Sequence, residues 1–110
     1  MEPLLSAFDG YLDNMEFVEA DLLNEKSIIA ACVNSEYIVH TASPVNMGLS
    51  EEELVKPAIN GTLAIMKAAD VHRVKKVVIT SSIAAVSHGH PDRTQFNETD
   101  WSKEENCDAY

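Results

Sequence analysis

Apolar positions along the chain change spacing several times, and each change marks an element. Glu16-Phe17-Val18-Glu19-Ala20-Asp21 has the short alternation of a strand. Asn24 then precedes Ile28, Ile29, Ala31, Cys32 and Val33, a helical spacing opened by a good N-cap residue. Tyr37-Ile38-Val39-His40-Thr41-Ala42 reads as a second strand. Ser50-Glu51-Glu52-Glu53 opens a long helix, because a serine followed three residues later by glutamate matches a capping box and acids in a first turn suit the helix dipole. The stripe predicted to be buried along that helix is Val55, Ile59, Leu63 and Met66, with Ala58, Thr62 and Ala69 beside it. Pro57 belongs in or near its first turns, and Gly61 implies a close approach of another part of the chain. Lys76-Val77-Val78-Ile79 is a third strand, β-branched enough to be buried on both faces, and it ends in the hydroxyls Thr80-Ser81-Ser82. Ahead of these elements, Leu4-Leu5-x-x-Phe8 makes an amphipathic start broken at Gly10.

Strand, helix, strand, helix, strand, with connections too long for hairpins, predicts an α/β fold with a parallel sheet and crossover helices. Ligands of such sheets bind just beyond the carboxyl ends of the strands. Those ends here are Asp21-Leu22, Thr41-Ala42-Ser43 and Thr80-Ser81-Ser82, small or hydrogen-bonding residues converging on one edge. A buried hydroxyl without a partner costs about 1–3 kcal/mol, so either the chain turns there or a polar ligand sits there.

Composition narrows the classes of partner. The chain has 110 residues, one domain at most, and a formal net charge of −10, which argues against a nucleic-acid groove or a polybasic membrane patch. No apolar run approaches the roughly 20 residues that span a bilayer, and no basic region followed by an apolar core opens the chain, so no signal peptide or membrane segment is expected. Cys32 and Cys107 are unclustered, which fits a reducing, cytoplasmic setting better than a disulfide framework. His88-Gly89-His90-Pro91-Asp92 offers two imidazoles and a carboxylate, too few ligands for a metal site, and Gly and Pro there predict a loop; no metal is expected, and the loop is expected to border the substrate pocket.

Four blocks, Phe17 to Leu22, His40 to Val45, Val55 to Leu63 and Lys75 to Ser82, resemble in order the extended short-chain dehydrogenase/reductases of the NAD-dependent epimerase/dehydratase superfamily, and within them the dihydroflavonol reductase and cinnamoyl-CoA reductase group. Phe96-Asn97-Glu98-Thr99-Asp100-Trp101-Ser102 is similar to the acidic, tryptophan-bearing segment ahead of that group's active-site tyrosine. The resemblance implies a Rossmann fold, a nicotinamide cofactor that is usually NADP(H) rather than NAD(H), and carbonyl/alcohol interconversion on a small organic substrate. Carried over by position, Ser82 matches the active-site serine and Tyr110 the tyrosine, 28 positions later across a loop shorter than that group usually has. Asp21 and Leu22 match the adenine side of the cofactor site, and Thr41, Ala42, Ser43 and Ser81 its floor and neighbours; Asn60 is a further candidate for orienting backbone or water.

These residue types suit the chemistry. Hydride delivered to a carbonyl carbon leaves negative charge on oxygen, which a hydroxyl such as Ser82 can steady while a tyrosine gives the proton. A free phenol has a pKa of about 10, and the group lowers it with a lysine four residues after the tyrosine. The sequence stops at Tyr110 and shows no Gly-rich turn before Phe17. Residues 1–110 are therefore expected to be the central, incomplete part of an NAD(P)-binding Rossmann domain, inactive alone. Two alternatives stay open: a sugar-nucleotide epimerase or dehydratase of the same superfamily, and a non-catalytic nucleotide-binding or interaction remnant. Substrate identity and oligomeric state are not legible.

Overall fold

The computed structural model describes residues 6–45, 48 and 50–107. Among them, β1 (Tyr37–His40) and β2 (Lys76–Ile79) form a two-stranded parallel sheet, in register from Tyr37 opposite Lys76 to His40 opposite Ile79. Helix α1 (Glu25–Ala31) precedes β1, helix α2 (Glu51–Val71) crosses from β1 to β2, and a single turn, α3 (Ala84–Ser87), follows β2. Parallel strands joined through a long helix make this part of a Rossmann-type α/β fold.

Local chemistry explains where the helices begin and end. Asn24 Oδ1 accepts the Ser27 amide at 3.2 Å and caps α1. At α2 the capping box closes in both directions: Ser50 Oγ accepts the Glu53 amide, and the Glu53 carboxylate accepts the Ser50 amide at 2.9 Å and its hydroxyl at 2.6 Å. Those bonds, the hydroxyl first, hold the Glu53 carboxyl below its ordinary pKa. α2 stops in a Schellman motif, in which the Val74 amide donates to Ala69 O at 2.8 Å and the Arg73 amide to Asp70 O at 3.2 Å. Arg73 takes the left-handed conformation that this motif demands, at φ 54. Val74 is thereby turned back against the core.

The core lies between the helices and one face of the sheet. Ile28 of α1 and Cys32 at its C-cap, Ile38 of β1, and Ala64, Ile65 and Ala68 of α2 pack together, with Leu22, Ile29 and Val77 partly buried beside them. Small residues on the inner face of α2 let it sit close. A Cβ on Gly61 would run into the Leu22 side chain, which is the close approach expected of that glycine.

Three expectations are corrected. Glu16–Asp21 forms no strand: a strand needs a ladder partner, and among the described residues the only ladder joins β1 to β2, so this segment runs exposed into a turn at Asp21. The strands are covered on one face only, since Ile38 and His40 are buried while Tyr37, Val39 and Val78 are exposed. The buried stripe of α2 runs through Leu54, Gly61, Ala64, Ile65 and Ala68, whereas Val55, Ile59, Leu63 and Met66 are 37–62% exposed. That helix is apolar on two faces, and the one with small side chains permits the closer packing against α1 and the sheet. Pro57 lies within the second turn of α2, as expected. Leu4 and Leu5 of the amphipathic start lie outside the described residues.

Candidate functional site

The carboxyl ends of β1 and β2 open into a cleft of about 410 Å3 lined by Thr41, Ser43, Pro44, Val45, Leu54, Val55, Ala58, Thr80, Ser81 and Ser82. Its walls come from both strand ends and from the first turns of α2. The register accounts for this, because β1 and β2 pair up to His40 and Ile79 and the chains beyond that pair are released together on one edge. A cleft of this size lies in the ordinary range for small-molecule sites.

Each of the three hydroxyls after β2 has its own role. Thr80 donates twice to the carbonyl of His40, through its amide at 3.0 Å and its hydroxyl at 3.2 Å, and so carries the strand pairing one residue beyond the ladder. Ser82 Oγ accepts the Ala84 amide at 3.1 Å, tying it to the start of α3. With a lone pair so engaged, the Ser82 hydroxyl proton remains available to donate. Ser81 has no hydrogen-bond partner among the described residues and borders the cleft.

Of the residues predicted to hold a cofactor, Thr41, Ser43 and Ser81 line this cleft, and so does the predicted catalytic Ser82. Ala42 lies between two lining residues without lining it. Asp21 and Leu22 are elsewhere. The Asp21 carboxylate accepts the Leu23 amide at 2.9 Å, and its own amide donates to Ser27 Oγ at 3.0 Å, so it organises the turn into α1; Leu22 packs on Gly61 and the core. Asn60 borders a shallow groove along α2 with Ser50, Glu52, Val55, Lys56 and Ile59. Tyr110 lies outside the described residues. The contribution of Leu54, Val55 and Ala58 to the cleft was missed from sequence; the signal was the Ser50 cap, which places the first turns of a helix just after the β1 end.

The segment that leads toward Tyr110 is tethered to the Ser82 side of the cleft. The Ser102 amide donates to Ala85 O at 2.9 Å and the Lys103 amide to His88 O at 3.1 Å, while Asn106 Nδ2 donates to Gly89 O at 3.1 Å. Gly89, at φ +75, leaves no room for a Cβ against the Lys103 carbonyl. Between these tethers the loop braces itself: the Arg93 guanidinium grips Asp100 at 2.8 and 2.9 Å and lies over the Phe96 ring, and Asp100 also accepts the Asn97 amide at 3.0 Å. Arg93 first, and then the Asn97 amide, hold the Asp100 carboxyl below its ordinary pKa. The His90 ring bonds the Trp101 carbonyl at 2.8 Å. His88 and His90 border a second cleft with Ser87, Gly89, Pro91, Asn106 and Cys107, which shares no lining residue with the strand-end cleft. Among the described residues no helix is long and apolar enough to cross a membrane.

Comparison with known proteins matches residues 5–110 to the 3-beta hydroxysteroid dehydrogenase/isomerase family. The chain is 40% identical over 101 residues to vestitone reductase of Medicago sativa, covering 89% of this chain and 31% of that protein. It is 37% identical over 106 residues to cinnamoyl-CoA reductase 1 of Petunia hybrida, with 94% and 31% covered, and 35% identical over 96 residues to anthocyanidin reductase of Arabidopsis thaliana, with 83% and 28% covered. It thus spans about a third of the length of these curated relatives. Three of the four blocks that carried the resemblance in the sequence, His40 to Val45, Val55 to Leu63 and Lys75 to Ser82, supply the strand ends and the helix that frame the cleft, and Phe17 to Leu22 lies apart from it. The chain belongs to the 3-beta hydroxysteroid dehydrogenase/isomerase family.

Proposed function

We propose that this chain serves an NAD(P)-dependent oxidoreductase acting on CH–OH or carbonyl groups of a small organic substrate, and that residues 1–110 are the central part of its cofactor-binding domain. The observation that carries this reading is the convergence of Thr41, Ser43, Ser81 and Ser82 on one cleft at the carboxyl edge of a parallel sheet. The names of the similar proteins, all reductases, favour reduction over epimerisation. Small and hydroxyl-bearing lining residues fit a nicotinamide dinucleotide, because they allow close approach and offer donors and acceptors without bulk. When bound, that cofactor supplies the hydride.

The protein's own residues would then manage the oxygen and the proton. Ser82, anchored by the Ala84 amide, donates its hydroxyl to the substrate oxygen as charge develops there. Tyr110 is the proton donor, assisted by a cation that lowers its pKa. Thr41, Ser43 and Ser81 hold the cofactor, with Ala42 allowing backbone approach; Asp21 and Leu22 serve its adenine end. NADP(H) is the preferred cofactor and the cytoplasm the site of action.

Titration of the chain with NADPH and NADH by calorimetry, with circular dichroism on the same sample, tests this reading. Saturable binding, tighter for NADPH and weakened at least several-fold by a Thr41→Trp substitution that fills the cleft, is expected. A cooperatively folded chain that binds neither cofactor would overturn it.

A further inference from the structure

The Thr80 hydroxyl sits at a junction that the reaction itself does not use. Ladder pairing ends at His40 opposite Ile79, and one residue later the chains separate to form the two sides of the cleft. The His40 carbonyl, at the end of a residue only 7% exposed, accepts both the amide and the hydroxyl of Thr80. The amide bond would form with any residue but proline at this position. The second bond needs a hydroxyl, and on a β-branched side chain it selects one χ1 setting from a restricted set. It therefore fixes the point at which the strand ends part.

We propose that Thr80 is a positioning residue that clamps the two strand ends into one rim, setting Ser81 and Ser82 opposite Thr41 and Ser43 at the spacing a nicotinamide dinucleotide requires. The match to a dinucleotide rests on the proposed function; the clamp itself rests on the hydrogen bonds. Valine at this position keeps shape and strand preference while removing the donor. Serine keeps the donor.

The test compares Thr80→Val, Thr80→Ser and Thr80→Ala in the full chain by amide hydrogen exchange and by NADPH titration. In the valine and alanine variants, exchange of the amides of residues 80 and 84 is expected to quicken by about tenfold, with the amides between Tyr37 and Ile79 unchanged, a local loss equivalent to one hydrogen bond. NADPH affinity is expected to fall several-fold, and serine to restore both. Unchanged exchange at 80 and 84 in the valine variant would overturn the clamp. So would equal loss of protection along the whole ladder in both the valine and alanine variants, which would make Thr80 a general stability residue. If the unsubstituted chain binds no NADPH, the cofactor reading fails, while the exchange measurement still decides the clamp.

Discussion

Single residues set several features that the hydrophobic pattern alone does not carry. Arg73 occupies a left-handed position that costs an L-residue roughly 1–2 kcal/mol, and it does so because the Schellman motif at the end of α2 turns Val74 into the core. Arg73→Gly should raise stability by about 0.5–1 kcal/mol, readable as a higher denaturant midpoint. Glu53 carries a pH dependence of definite sign. Its carboxyl is held below the ordinary value by the Ser50 hydroxyl and amide, so its contribution to folding is complete at neutral pH and is lost as the pH falls through the lowered value. Acid titration followed by helical ellipticity should therefore show an earlier loss in the parent chain than Glu53→Gln, which starts from a weaker helix and gives up less on acidification. Both residues were visible in the sequence. Only the cap was readable as such, since Ser50 and Glu53 lie within one turn, whereas the strain at Arg73 depends on where Val74 has to go.

At the scale of elements, α2 shows what pattern can and cannot decide. Its start at Ser50 followed from local chemistry, but its inner face did not. Val55, Ile59, Leu63 and Met66 make the larger apolar stripe, yet Gly61, Ala64 and Ala68 face the core, because α1 and the sheet approach more closely over small side chains. Gly61→Ala tests that closeness. Helix propensity alone would favour alanine by about 1 kcal/mol, but a methyl against Leu22 overpacks the contact, which typically costs about 1–3 kcal/mol. A net loss of about 1 kcal/mol is expected in denaturant unfolding, and in a Leu22→Ala background the same glycine substitution should cost little or nothing. Additivity of the two substitutions would show that the contact is not tight. The Glu16–Asp21 segment makes the converse point, for a strand-like alternation without a partner stays unpaired however well it is spelled.

For the molecule as a whole, the radius of gyration is 16.7 Å, against about 13 Å for a compact chain of this length. One sheet face, with Tyr37, Val39 and Val78, and the outer stripe of α2 are both open to solvent. The native chain should therefore bind a hydrophobic dye, and Val39→Thr with Ile59→Gln should reduce that signal without shifting the unfolding midpoint by more than its scatter; an unchanged signal would place the open surface elsewhere. The sequence by itself determined the succession of α1, β1, α2 and β2, the helix N-caps, the parallel crossover and the family, because each depends on near neighbours or on residue identities in a fixed order. Only the tertiary structure decided which face of α2 is buried, that Asp21 organises a turn while Leu22 packs on Gly61, and how Thr80, Ser81 and Ser82 divide their hydrogen bonds. Those outcomes depend on contacts between residues as far apart as Leu22 and Gly61 or His40 and Thr80, and a one-dimensional pattern does not state which distant atoms will be close enough to compete for them.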